Sequence, residues 1–170
     1  MNKFRYILRG LIDGCLSVTG VLIGAYNSDF SIIISAGIAG AVANGFSNML
    51  AAFSAEQTVR LRNLKELEET MLTSLQDTVK NKQIKKTIRN SAFYDGTSTI
   101  AGGILPVIPF FFATGDNALI ISLLITLFLF VGMGIYMGKI SRTNIFISVF
   151  KMIILAAVTA GACTLVRFFI

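Results

Sequence analysis

Two aspartates lie in apolar segments of the chain, and each opens the same short pattern. Asp13 is followed at once by a glycine and, four positions on, by Ser17. Asp95 is followed by a glycine and, four positions on, by Thr99. Residues at such spacing share one face of a helix. An ionisable side chain inside a membrane segment is costly and by default marks an ion pathway or a proton relay.

Either aspartate could instead be an interfacial acid paired with a preceding arginine, Arg9 or Arg89. The glycine that follows each acid favours the functional interpretation. Glycine lets two helix backbones approach closely, or lets a helix unwind so that its carbonyl groups face a cation. The recurrence of the pattern also suggests that the first two segments and the next two form a parallel repeat, as in some transporters, although three shared positions could arise by chance.

The apolar stretch from residue 35 to 49 is dense in glycine, alanine and serine, and it also carries polar amides. Small residues four apart are typical of a close helix–helix seam in membranes. Asn44 and Asn48 lie one turn apart on a helix, so both must face a partner or a cavity. Met49 and Glu56 follow toward the end of the segment and are further candidate ligands, although a lone methionine is more often a packing residue.

Five apolar segments of roughly 20 residues, each long enough to cross a bilayer as a helix, must position these side chains. They cover about residues 8–26, 30–54, 92–114, 118–138 and 144–167. The chain is 54% hydrophobic and 14% charged, whereas soluble domains carry about a quarter charged residues. The segments lack the alternation of barrel strands. We therefore expect an all-α, multi-pass protein of the cell membrane, in contact with the lipid bilayer.

Basic residues indicate a cytoplasmic N-terminus, because Lys and Arg favour the cytoplasmic side of short loops. With this orientation 13 of the 15 basic residues lie inside. The two outer turns carry Asp29 and Asp116 and no Lys or Arg. The net charge of +6 is explained by this topology, and no nucleic-acid partner is expected.

The polar connection 55–91 has the pattern of an amphipathic helix, which could continue from the second span. Its apolar positions recur at helical spacing: Leu61, Leu64, Leu67, Met71, Leu72 and Leu75. Two interpretations remain open. The connection could lie as a helical hairpin on the anionic inner leaflet, or it could collect metal ions at Glu66, Glu68, Glu69 and Met71.

Other residues predict how the helices pack and bend. Close packing is expected at Gly20, Gly24, Gly37, Gly40 and Gly102. Pro106 and Pro109 each lack a backbone donor and should kink the third span, either as a fixed bend or as a hinge for alternating access.

The missing residues restrict the chemistry. The chain has no histidine, the commonest general base and transition-metal ligand, and no phosphate-binding loop of the Gly-Lys-Ser/Thr type. No enzyme activity and no cofactor are expected. Both cysteines, Cys15 and Cys163, lie in apolar segments, so no disulfide is expected. A metal site would use mainly oxygen ligands, which suit Mn²⁺ or Fe²⁺ better than Cu⁺.

The sequence resembles the vacuolar iron transporter family over nearly its whole length. The resemblance is carried by the order and spacing of three motifs: Asp13-Gly14-x-x-Ser17-x-x-Gly20-x-x-x-Gly24, then Ser35-Ala36-Gly37-Ile38-Ala39-Gly40 with Ser47-Asn48-Met49, then Gly102-Gly103-Ile104-Leu105-Pro106-x-x-Pro109. It implies a homodimer that moves Fe²⁺ or Mn²⁺ out of the cytosol, often in exchange for protons. It further implies a pathway near the dimer interface, lined by Asp13 and plausibly Met49, and a metal-collecting domain in the long connection.

Two departures from the family pattern limit what carries over. The second span usually continues from its serine with Met and then Gly-Glu-Tyr, whereas here Asn48 intervenes and the nearest acid is Glu56. The connection is also short and poor in acids, so its collecting domain could be reduced. The leading hypothesis is a dimeric exporter of divalent metal. The alternatives are a membrane scaffold or accessory subunit that transports nothing and, less favoured, a transporter of an organic solute.

Overall fold

The computed structural model describes residues 3–74, 78–113 and 115–169. Leu75, predicted on the amphipathic face, lies outside the described residues, as do the rest of 75–77 in the connection and Thr114 at the end of the predicted third span. Within the described part, the chain forms five α-helices and one short 3₁₀ helix, without strands. The α-helices are α1 Lys3–Gly24, α2 Phe30–Met71, α3 Val79–Val107, α4 Asp116–Ile140 and α5 Ile145–Phe169. The expected all-α class is confirmed for these residues.

Four of the five helices, α1, α2, α4 and α5, are long and apolar enough to cross a membrane. The third predicted span falls in α3, which is not among them on the basis of composition. The structure gives the reason. The buried side of α3 carries Ser91, Asp95, Ser98 and Thr99, each 7% exposed or less. These polar groups face neighbouring helices, so α3 presents less apolar surface than a lipid-facing helix does.

The second half of α3 lies beside α1, and the two helices run in the same direction. A Cβ atom on Gly14 would collide with the backbone carbonyl of Thr99, and one on Gly103 would lie 2.8 Å from a methyl of Val18. α2 runs antiparallel to both, because Gly45 faces Gly96 in the middle of α3 while Gly37, earlier in α2, faces Val107 at the end of α3. These three helices form the centre of the molecule.

The far end of α3 is fixed by an apolar core and by one polar contact. Val107 and Phe110 are buried there with residues of α1, α2 and α4. Pro106 is buried inside the helix, and Pro109 is buried at the start of the 3₁₀ helix Ile108–Phe111. The Ser122 hydroxyl of α4 donates a 2.7 Å hydrogen bond to the Pro106 carbonyl. Both prolines, predicted to kink this segment, therefore lie where the α-helix gives way to the 3₁₀ turn.

α5 is peripheral and contributes no buried residue. It packs mainly on α4, where a Cβ on Gly134 would lie 2.7 Å from the Cα of Val149. Its second neighbour is α1, through a contact of Gly20 with Cys163. Both cysteines are free.

α2 continues beyond the predicted end of the second span near residue 54 as a single helix to Met71, in agreement with an amphipathic helix that continues from that span. Its last 17 residues span roughly 25 Å at 1.5 Å per residue. α3 begins at Val79, capped by Thr78. The two extensions pack as a hairpin with Leu64 and Ile88 buried, so the apolar face of the predicted amphipathic helix is covered in part by α3.

Candidate functional site

The carboxylate of Asp13 is held by the amides of two asparagines across the interface of α1 and α2. Oδ2 of Asp13 accepts hydrogen bonds from Nδ2 of Asn44 at 2.9 Å and from Nδ2 of Asn48 at 2.6 Å. Both amides reach the same oxygen because residues four apart share a helix face. The antiparallel course of α2 brings that face onto α1. The two asparagines expected to face a partner or a cavity therefore face Asp13.

Two hydroxyls complete the cluster. The Asn44 amide also donates to Oγ of Ser17 at 2.7 Å, and the Asn48 amide donates to Oγ1 of Thr99 at 3.0 Å. Three helices thus contribute side chains to one group: Asp13, Ser17, Asn44, Asn48 and Thr99. We call these five residues the Asp13 cluster. Thr99 is buried, Asp13 and both asparagines are partly exposed, and Ser17 is exposed, so the cluster opens to one side of the chain.

The Asp13 cluster can offer oxygen atoms to a cation without a change of backbone. A carboxamide carries its carbonyl oxygen and its NH₂ group in nearly equivalent positions. Rotation of Asn44 or Asn48 by half a turn about the last side-chain bond would place an oxygen where the amide nitrogen now lies. The cluster would then present one carboxylate, two carbonyl oxygens and two hydroxyls. Among the described residues no group of three His, Cys, Asp or Glu side chains could hold a metal, so this mixed oxygen set is the available chemistry.

Asp95 has a different environment, although its sequence pattern matches that of Asp13. The guanidinium of Arg9 binds it through two nitrogens, with Nε at 3.1 Å from Oδ1 and an ion pair to Oδ2. Asp95 is fully buried, while the side chain of Arg9 is 52% exposed. A buried charge needs such a partner. The geometry therefore favours the ion-pair alternative for Asp95, with an arginine from α1 and not Arg89.

Glu56, the other acid proposed for the pathway, lies beside the first turns of α1. At this end of the helix bundle, α2 extends beyond α1. It accepts hydrogen bonds from the Tyr6 hydroxyl and from Arg60, and Arg5 lies 3.6 Å away. These contacts tie the N-terminal turn of α1 to α2. Glu56 is two turns along α2 from Asn48, and within the described part of the chain it forms no hydrogen bond or ion pair with the Asp13 cluster.

Met49, also proposed for the pathway, points into the interface of α2 and α3. A Cβ on Gly96 would lie 2.8 Å from Cβ of Met49 and 3.2 Å from its terminal methyl. The methionine therefore packs over the glycine that follows Asp95, beside the Asp13 cluster and not within it. Of the two roles considered for the glycine, the contact favours close packing over an unwound helix.

The residues proposed to collect metal lie on the projecting part of α2. Glu66 forms an exposed ion pair with Arg62 at 2.9 Å, and with Glu69 it lines an open groove. Met71 is 57% exposed at the end of the helix. Glu66, Glu68 and Glu69 do not converge on a common point that could hold a metal.

The glycines predicted at packing seams differ in their surroundings. Gly37 and Gly102 are in close contact with α3 and α1, respectively, and Gly20 is close to Cys163. Gly40 makes only an ordinary contact, and Gly24, the last residue of α1, has no atom within 4 Å of its potential Cβ. A packing role for Gly24 is therefore not seen within one chain.

Sequence reasoning missed several partners because they depend on how helices are paired. Thr99 was noted only as part of the repeat, and nothing in the sequence placed it against Asn48. The contact of Tyr6 with Glu56 joins residues 50 positions apart. A polar side chain once per turn along α1, at Tyr6, Arg9, Asp13 and Ser17, is the signal that could have indicated a continuous polar face.

Comparison with known proteins identifies the family. The model of the VIT family matches residues 54–167. An uncharacterized protein of the archaeon Methanocaldococcus jannaschii is 42% identical over 167 residues, covering 96% of this chain and 87% of that protein. The family match begins after Asn48, so the role of the Asp13 cluster rests on the geometry above. The chain belongs to the VIT family, the vacuolar iron transporter family that its sequence resembles.

Proposed function

We propose that this protein carries Mn²⁺ or Fe²⁺ across the membrane, moving the metal out of the cytosol in exchange for protons. The observation that carries the proposal is the Asp13 cluster, in which an acid in a candidate span accepts its hydrogen bonds from two asparagines that can turn an oxygen toward a cation. Family membership supports transport of metal as the general activity.

The chemistry of exchange needs one group that binds either ion. The Asp13 carboxylate can take a proton or contribute a ligand to a divalent cation. The remaining ligands would be amide and hydroxyl oxygens, a set that suits hard cations such as Mn²⁺. Arg9 is already paired with Asp95, which leaves the charge of Asp13 for the transported ion. We assign Asp95 to positioning Arg9 and α1, and Met49 to packing beside the site.

The proposed topology has five spans and a cytoplasmic N-terminus. Support for the third span, which falls in α3, comes from the course of this helix. α3 lies beside the part of α1 from Gly10 to Val18 and runs in the same direction. If α1 crosses the bilayer, α3 occupies the same depth. In this orientation the extensions of α2 and α3, with their basic residues, lie in the cytoplasm, as the charge rule requires.

The open side of the Asp13 cluster supports a homodimer. Ser17 is exposed there, and the outward positions Ala39, Ala43 and Ser47 of α2 are small and exposed. Such residues allow close helix contact in a membrane. A second copy packed on this face would shield the cluster from lipid and could add ligands to it.

The test is metal flux into proteoliposomes under a pH gradient, with Mn²⁺ and Fe²⁺ compared in parallel. Asp13→Asn keeps the size of the side chain and removes its charge, so we expect folded protein with flux reduced to the level of empty liposomes. Asp116→Asn is the matched control, because Asp116 is an exposed acid at the start of α4, and its flux should equal that of the wild type. Retained flux in Asp13→Asn would refute the site. Absence of flux in folded wild-type protein would favour the scaffold alternative.

A further inference from the structure

A groove on the surface of α2 and α3 is not part of the Asp13 cluster. Its α2 wall is formed by Phe46, Leu50 and Phe53, and Phe93 contributes from α3. The volume is about 500 Å³ and the lining is almost wholly apolar. These four side chains are between 40% and 67% exposed, so the groove is open toward the surroundings of the helix bundle.

One end of the groove is basic. Arg89 lines it directly, and Lys85 and Lys86 lie one turn earlier on the same face of α3. All three are exposed, and none forms an ion pair with a described acid. From Val79 to Tyr94, α3 has five basic residues and no acidic residue. The apolar groove thus ends in a cluster of cations at the point where α3 leaves the bundle.

We propose that this groove binds an anionic phospholipid of the adjacent leaflet. The phosphate would contact Arg89 and the lysines, and one acyl chain would lie against Phe93, Phe53 and Phe46. Phe46 and Phe53 are seven residues apart, roughly 10 Å along the helix. The part of an acyl chain nearest the headgroup is long enough to contact both. The change from cations to aromatic side chains along α3 matches the change from headgroup to hydrocarbon in a bilayer.

A second copy of the chain fits this groove less well than a lipid. Phe46 and Phe53 protrude here and prevent the close backbone approach that the small residues Ala39 and Ala43 allow earlier in α2. A two-fold contact would also bring the cations of both copies together. The proposal does not depend on the transported ion, so its failure would leave metal transport untouched.

The experiment uses the absence of tryptophan from the chain. Phe93→Trp places a single fluorophore in the groove, and Phe128→Trp places one on α4, where Phe128 is 79% exposed. Each full-length variant is reconstituted in vesicles of phosphatidylcholine and phosphatidylglycerol, with bromine on the acyl chains of one lipid at a time. Bromine quenches tryptophan on contact, so the quenching reports which lipid is in the groove.

We expect brominated phosphatidylglycerol to be enriched at Phe93→Trp by roughly five-fold per basic contact over its share of the bilayer. At Phe128→Trp, quenching should follow the bulk composition. Arg89→Gln in the Phe93→Trp chain should lower the enrichment about five-fold, whereas Lys80→Gln, a matched loss of charge at the far end of α3, should leave it unchanged. Phe53→Trp gives the same readout from α2 if the α3 variant does not fold.

Three results would overturn the proposal. Quenching at Phe93→Trp that follows bulk composition would show that no lipid is selected. Equal losses in Arg89→Gln and Lys80→Gln would show diffuse attraction to a charged surface and not a site. Protection from both brominated lipids would show that another protein chain covers the groove.

Discussion

Arg9 of α1 and Asp95 of α3 form an ion pair one helical turn from Asp13. Because of this ion pair, Asp95 has a different environment from Asp13, although both acids open the same sequence pattern. Asp95 is neutralised by a cation within the protein, whereas Asp13 is held by neutral amides. Under the proposed function, this difference leaves Asp13 and not Asp95 to exchange ions, and it leads to the first of four predictions.

Loss of Arg9 should destabilise the protein more than loss of Asp95. Arg9→Met leaves a fully buried carboxylate without a partner, and breaking a buried pair in this way costs about 3–5 kcal/mol. Asp95→Asn leaves a half-exposed arginine that can still reach water. Thermal unfolding in detergent should rank wild type above Asp95→Asn, and Asp95→Asn above Arg9→Met. The double variant should recover much of the loss, and equal effects of the two single variants would contradict this account.

Gly14→Ala should push α1 and α3 apart. The added methyl would collide with the carbonyl of Thr99, and a backbone atom cannot move aside as a side chain can. We expect a loss of roughly 1–3 kcal/mol, together with loss of metal flux, because Thr99 belongs to the Asp13 cluster. Gly132→Ala is the control, since no atom lies within 4 Å of its potential Cβ. Unchanged flux in Gly14→Ala would show that the cluster does not depend on close contact of these helices.

Asn48 provides a test of whether an amide oxygen binds the metal. Asn48→Ala removes the oxygen and should weaken the apparent affinity for Mn²⁺ by about 10-fold or more. Loss of a residue that hydrogen-bonds to a metal ligand typically weakens metal binding by a similar factor. Asn48→Asp supplies an oxygen at the same place and should retain binding. Concentration dependence of flux measures both. If Asn48→Asp is as weak as Asn48→Ala, the amide serves only to hold Asp13.

The membrane course of α3 can be tested by labelling cysteines from one side. Starting from a chain with Cys15 and Cys163 replaced, we expect Asp29→Cys and Asp116→Cys to react with an impermeant maleimide from outside. Lys82→Cys should react only from the cytoplasm. If α3 does not span, Asp116→Cys and Lys82→Cys will react from the same side.

The sequence predicted much of the fold because bilayer thickness and the need for backbone hydrogen bonds restrict the choices strongly. Apolar segments of sufficient length indicated helices, and the described residues form five α-helices, of which four are long and apolar enough to cross a membrane. The length of α2 was less predictable, since the change from apolar to amphipathic composition near residue 54 does not break the helix. No proline or glycine interrupts it between Ser47 and Met71.

Only those features of the site that follow from residue spacing within a single helix could be predicted from the sequence. Asn44 and Asn48 share a face by helical spacing, and their need for a partner could be stated without a structure. Which acid they meet depends on the pairing of α2 with α1, and the partner of Asp95 depends on the pairing of α3 with α1. The direction of Met49 likewise depends on the rotation of α2 about its axis, which composition does not fix because both sides of this segment carry small residues.

The polar interior of α3 has a consequence for biogenesis. A translocon inserts a segment according to its own hydrophobicity, and a charged aspartate in a span opposes insertion by up to about 2.5–3.5 kcal/mol, the cost at the centre of the helix. Asp95 becomes acceptable in lipid only when Arg9 is alongside it. If α3 crosses the membrane as proposed, α1 must already be there when α3 emerges from the ribosome, and a chain that lacks α1 and α2 should leave α3 outside the bilayer. In the proposed five-span topology, the order of synthesis would thus decide whether α3 enters the membrane.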